Sequence, residues 1–121
     1  MRKTLALMLI ALLVSACSRK IVVRFPPQQL TVMIYENGKV AQHCKLQPDS
    51  DKFKQLASLM GQQDTEGWQK NTGTSPPTAL VEGSEISLNF SGSSVILNDA
   101  KGQYVHPISA DAYAFLRCRA N

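Results

Sequence analysis

The chain has 121 residues, 44% of them hydrophobic and 18% charged, with 13 basic against 9 acidic side chains and a formal net charge of +4. The length suffices for one domain with a modest core and is too short for two. No Lys/Arg block of the kind that tracks phosphates occurs, which sets nucleic-acid binding aside.

The first predicted element does not belong to the fold. Arg2 and Lys3 precede LALMLIALLV, an apolar core of the length of a secretory h-region. A spanning helix would need about 20 apolar residues, and Ser18, Arg19 and Lys20 end the run well short. The run closes on Val14-Ser15-Ala16-Cys17, which resembles the lipobox of bacterial lipoproteins. The resemblance covers only about the first seventeen residues. It implies that Cys17 is diacylated on sulfur and becomes the mature N-terminus after cleavage. Val14 and Ala16 also satisfy the small-x-small rule for ordinary signal cleavage before Cys17. Cysteine parity favours lipidation: of three cysteines, a lipidated Cys17 leaves Cys44 and Cys118 as one pair, whereas an unmodified Cys17 strands a thiol in an oxidising compartment.

Each buried methylene contributes about 0.8 kcal/mol, so the several chains of a lipoprotein anchor hold firmly. Ser18 stands where an aspartate is the usual inner-membrane retention signal of enterobacterial lipoproteins. The resemblance therefore implies the outer membrane, periplasmic face. Removal of Met1–Ala16 leaves 105 residues and takes Arg2 and Lys3 with it, so that 11 basic residues face 9 acidic ones. The expected organisation is a signal peptide at 1–16, a lipid anchor and short tether at 17–27, and a single periplasmic domain at 28–121. Arg19, Lys20 and Arg24 beside the anchor read first as a solvated polar stub, with anionic head groups or wall carboxylates as the alternative.

Ile21–Phe25, IVVRF, is β-branched and reads as a short strand closed by Pro26-Pro27. Leu30–Leu46 is a hairpin about the type I′ signal Asn37-Gly38. Counted without interruption, it pairs Tyr35 with Val40, Met33 with Gln42 and Thr31 with Cys44. That puts Met33, Tyr35, Val40, Cys44 and Leu46 on one face and Val32, Ile34, Ala41 and His43 on the other. The face with Cys44 is expected to look into the core.

Asp49 or Ser50 can cap a helix in which Phe53, Leu56, Ala57 and Met60 recur at i, i+3, i+4, i+7, with Gly61 as its C′ residue. Gln62–Pro77 is polar, rich in Gly and Pro and aperiodic, and reads as a long surface loop. From Thr78 the pattern becomes a meander. With Ser91-Gly92 as the turn, Ile86, Leu88 and Phe90 share a face with Val95 and Leu97. Asp99–Gly102 turns the chain into Gln103–Ile108. Ser109 caps a final segment, ADAYAFLRC, that reads as a helix, although its alternation also suits a strand. The expected class is α+β: a small antiparallel sheet of about five or six strands, one or two helices on one face, and one disulfide.

Cys44 with Cys118 is read as that disulfide, worth roughly 4 kcal/mol in the chain-entropy model. A metal or redox pair would want CxxC spacing and further ligands, which are missing. His43 and His106 show no metal-ligand spacing, and no cofactor motif occurs. The carboxylate pairs Glu82 with Glu85 and Asp64 with Glu66 flank turns and read as solvated. No catalytic residue is nominated, because no Ser, His and Asp fall in a recognisable order. Trp68, the only tryptophan, either folds back over the core or stands exposed. In the exposed case it would form, with Gly67 and Lys70, a possible partner-binding surface on the loop.

The resulting functional expectation is a non-enzymatic, membrane-anchored binding or accessory module. Its partners would be membrane lipid, through acylated Cys17, and another cell-envelope component. The alternative is a periplasmic inhibitor or immunity protein against a hydrolase, such as a lysozyme or a delivered toxin. A third idea, an enzyme with a site around His106 and Asp111, has weaker support.

Overall fold

The computed structural model describes residues 20–63 and 65–118. The signal-like run, Cys17, Arg19 and Asp64 lie outside the described residues. Among the described residues, seven strands form one antiparallel sheet in the order β2-β1-β4-β5-β6-β7-β3. They are β1 (Leu30–Glu36), β2 (Lys39–Leu46), β3 (Gln69–Lys70), β4 (Ala79–Glu82), β5 (Ser87–Ser91), β6 (Ser94–Asp99) and β7 (Gly102–Pro107). Helix α1 (Asp51–Gly61) and a C-terminal 3-10 helix (Ala110–Leu116) complete the α+β fold. The strand count is seven rather than five or six because Ile21–Phe25 drops out and two short strands are added. One is β4 and the other is β3, with only two residues.

Register explains which face is the core. Across the sheet Ile34, Ala79, Phe90, Val95 and His106 stand in one row, and Val32, Val81, Leu88, Leu97 and Tyr104 in the next. These residues are all buried, so each strand stabilises the sheet through one continuous apolar face. Over that face lie Phe53, Leu56 and Met60 of α1 and Tyr113 and Leu116 of the 3-10 helix. Ser50 caps α1 by accepting a hydrogen bond from the Phe53 N–H at 3.3 Å. Gly61 is the last helical residue, and Gln62 in right-handed helical geometry is the cap, so no left-handed C′ glycine ends this helix.

The hairpin departs from uninterrupted counting. Asn37 and Gly38 take φ of 53° and 76°, as a type I′ turn requires, and Tyr35 faces Val40. Ala41 is then an extra residue: Ile34 pairs with Gln42, Met33 with His43 and Val32 with Cys44. A bulge of one residue reverses the faces that follow it. Cys44 and Leu46 therefore share the core face with Leu30, Val32 and Ile34, whereas Met33, Tyr35 and Val40 lie on the outer face. The β5–β6 turn also differs by one position: Ser91 pairs with Ser94, so Gly92-Ser93 is the turn. That change moves partners by two and keeps the faces as expected.

Ile21–Phe25 joins no ladder. It runs extended, with the Ile21 N–H donating to Thr65 O at 3.0 Å. Ile21, Val23 and Phe25 pack against the core, and the Phe25 ring meets Phe53 edge-on at 6.1 Å. Residues 21, 23 and 25, which precede the boundary expected at residue 28, therefore pack against the core.

Two crossings tie the edges of the sheet together. From β2, the chain passes over the core face through α1 to reach β3 on the opposite edge. It then returns over the outer face: Asn71 N–H donates to Gln103 O, Asn89 Nδ2 to Ser75 O and Ser91 Oγ to Pro76 O. Thr78 closes the return by donating to Phe90 O and accepting from Tyr35 N–H. Ile96 of β6 lies under this path and is 4% exposed although it sits outside the main core. The stretch expected as a long surface loop thus contains β3 and then runs as a strap along the outer face.

The Cys44–Cys118 disulfide is present and spans 74 residues. It fastens the end of the 3-10 helix to edge strand β2, assisted by Cys118 N–H donating to Gln42 Oε1 at 3.0 Å, while Lys52 Nζ of α1 donates to Arg117 O at 2.6 Å. The C-terminal segment is a helix, the first of its two readings, and of the 3-10 type. Its buried residues Tyr113 and Leu116 are three apart, as that geometry demands. Tyr113 Oη donates to Gly92 O at 2.6 Å, and its ring lies 4.8 Å from Phe90.

Candidate functional site

Trp68 takes the first of its two alternatives. Gln69 faces Val105 and Lys70 faces Tyr104, so one step back along the chain Trp68 meets His106 on the core face. The rings lie 5.0 Å apart, and Trp68 and His106 are 6% and 7% exposed. Burial of this size suits a side chain that closes the β7 edge of a small core, not an exposed anchor. Gly67 is required by the same contact. A Cβ there would stand 2.5 Å from His106 Nε2. His106 Nδ1 lies 2.7 Å from Pro107 O.

Lys70 is exposed and lines a small cleft of about 430 Å³ with Lys101, Gln69 and Gln103 and the edges of Trp68 and Tyr104. The three residues of the expected loop surface are therefore together, but with different roles: Trp68 and Gly67 build the β7 edge, and Lys70 alone faces solvent fully. His43 is exposed on the outer face of β2, far in register from buried His106. Asp111 is exposed on the 3-10 helix. Among the described residues, no group of three His, Cys, Asp or Glu could hold a metal ion. Glu82 and Glu85 border the β4–β5 turn and are exposed.

The surface that uninterrupted counting hid is on the outer face. The strap covers β5 to β7 but reaches β4 and β1 only at Thr78, where the return ends. Beyond it Met33 stands beside Leu80, and Tyr35 beside Val40, all four on the outer face. Met33, Tyr35 and Leu80 are half-buried, and Val40 is 50% exposed. His43 and Lys45 border them on β2. A tyrosine and three aliphatic side chains with a polar rim make the composition of a protein-contact patch. The alternation that marks Met33 and Tyr35 is visible in LTVMIYE. What was not visible was the bulge that turns them outward.

Direction along the strands gives the molecule two ends. Lys20–Pro26, the β4–β5 turn and the β6–β7 turn border one open groove of about 1170 Å³. The tip of the β1–β2 hairpin and the β5–β6 turn lie at the opposite ends of their strands. Val40 and Tyr35 are next to the hairpin tip, and so stand away from the N-terminal segment. Among the described residues no helix is long and apolar enough to cross a membrane. No family model matches this chain, and no curated protein or solved structure matches it either.

Proposed function

We propose that this protein is a lipid-anchored, non-enzymatic binding or accessory module of the bacterial cell envelope, held at the periplasmic face of the outer membrane. The anchoring half of the reading starts from Val14-Ser15-Ala16-Cys17. The bond between Cys44 and Cys118 supports it, because Cys17 is then the remaining thiol and lipidation gives it an occupant. The binding half is carried by one observation: the apolar patch of Met33, Tyr35, Val40 and Leu80 on the part of the outer face that the strap leaves open. Burial of such a patch against a partner stabilises by about 25 cal/mol per Å² of apolar surface removed from water, before the costs of association.

The test is capture from envelope extract. A soluble bait, Cys17→Ser behind a cleavable signal so that the disulfide can form, is compared with the same bait carrying Val40→Asp. Val40 is half in water, so the aspartate leaves the thermal midpoint within a few degrees of the parent. The proposal expects one or more envelope proteins captured by the parent and lost with Val40→Asp. Capture that ignores Val40→Asp would remove the patch. Sustained turnover of peptidoglycan, peptide or ester substrates by repurified protein would remove the non-enzymatic reading. A stoichiometric hydrolase or toxin among the captured proteins would place the protein with the inhibitors.

A further inference from the structure

The N-terminal segment alternates in a way that the core alone does not explain. Ile21, Val23 and Phe25 point inward and pack, while Lys20, Val22 and Arg24 point outward. Val22 is 62% exposed, the most exposed large hydrophobic side chain of the described residues. An apolar residue between two long cations on one exposed edge is the arrangement of an interfacial segment. There the aliphatic group enters the acyl boundary and the cations reach back to the phosphates.

Chain length supplies the second argument. Ile21 is docked by its backbone bond to Thr65 and by its side chain. Four residue steps separate it from Cys17, and a fully extended chain covers about 3.3–3.6 Å per residue. The docked segment therefore cannot lie farther than about 14 Å from the lipidated sulfur's backbone. One head-group layer is about 5–8 Å deep, so this tether leaves Ile21 at most several ångströms beyond it and holds the end of the domain that carries Lys20, Val22 and Arg24 toward the bilayer.

We infer that the strip Lys20–Val22–Arg24 lies on the head-group layer of the bilayer that holds the Cys17 lipid, with Val22 in the interface, and so sets the orientation of the domain. The inference rests on the proposed anchor. Lys101 of the β6–β7 turn stands in the same groove, but so do Glu82, Glu85 and Asp99, and Lys20 itself approaches Glu66 at 4.0 Å. The charges at this end nearly balance. Contact is thus imposed by the tether and by Val22, not by attraction to anionic lipid, and it depends little on salt. The opposite end, with the hairpin tip and Val40, then projects into the periplasm.

The lipidated full-length protein is reconstituted in vesicles of phosphatidylethanolamine and phosphatidylglycerol, with Val22→Trp in one preparation and Val40→Trp in another. Trp68 is kept in both as a buried, constant background. Phospholipids brominated at shallow acyl positions are the quencher. The inference expects most of the emission added by Val22→Trp to be quenched, that added by Val40→Trp to be unaffected, and both results to persist at high salt. Protein that floats with the vesicles but shows no quenching at position 22, or equal quenching at both, overturns the orientation while leaving the anchor intact. Protein that does not float overturns the anchor and the inference with it. Quenching at position 22 that disappears in high salt overturns the balanced-charge argument.

Discussion

Removal of the disulfide is the perturbation whose magnitude follows most directly from the fold. Cys44 and Cys118 are 74 residues apart, so the bond closes a loop that holds most of the domain. In the chain-entropy model a loop of this length restricts the unfolded ensemble by about 15 cal/mol/K, or about 4.5 kcal/mol at 25 °C. A small domain has a total stability of about 5–15 kcal/mol, so the double variant Cys44→Ala/Cys118→Ala should lose a large share of it. With a urea m value of about 1–2 kcal/mol/M, the midpoint should fall by roughly 2–4 M, and a marginal parent would not fold at all. The assay is urea unfolding of the soluble protein, oxidised and double variant, followed by circular dichroism. The 3-10 helix should loosen first, because Cys118, with its bonds to Cys44 and Gln42, fixes its end to β2. Amide exchange at Tyr113 and Leu116 should rise before that of Leu88 or Leu97. A midpoint shift below about 0.5 M would refute the reasoning, since it would mean that the reduced chain stays as restricted as the cross-linked one.

Two smaller perturbations separate the β7 edge from the rest. Gly67→Ala places a methyl group against the buried His106 ring and should destabilise by about 1–3 kcal/mol, whereas Gly73→Ala, which meets nothing within 4 Å, should be close to neutral; paired thermal melts distinguish them. Ser50→Ala removes the cap that accepts from Phe53 N–H and should cost about 1 kcal/mol, read as a lower urea midpoint at unchanged m value.

Local signals in the sequence were legible where chemistry and spacing coincide. Asn37-Gly38 marks a type I′ turn because both positions need positive φ, and the structure uses both. The spacing of Phe53, Leu56 and Met60 identifies α1, and their side chains are the buried ones. The alternation through Leu88, Phe90, Val95 and Leu97 identifies the central strands, and a turn displaced by one position does not disturb it. The failures have physical causes too. A bulge at Ala41 leaves no mark in an apolar/polar pattern, yet it decides whether Val32 or Met33 faces the core. Gln69-Lys70 is a strand only because β7 offers an open edge, a long-range fact absent from its own residues. Ile21–Phe25 alternates like a strand but joins no ladder; its alternate residues pack on the core without one.

The candidate site was less legible than the fold. The sequence left Trp68 between folding back over the core and standing exposed on the loop, and its register opposite His106 decides for the core. The patch at Met33, Tyr35, Val40 and Leu80 was assembled from residues that the sequence assigned to the interior or left unremarked. The bulge turned three of them outward, and the strap's path left them uncovered.

The central claim is that this domain works while fixed to a membrane through Cys17. Intact-mass analysis of the protein purified from the membrane fraction tests it most directly. The account predicts a mature chain beginning at Cys17, with the added mass of a diacylglyceryl group and no free thiol at that residue. A mature chain that begins at Cys17 without lipid, or one recovered from the soluble periplasmic fraction, would contradict it.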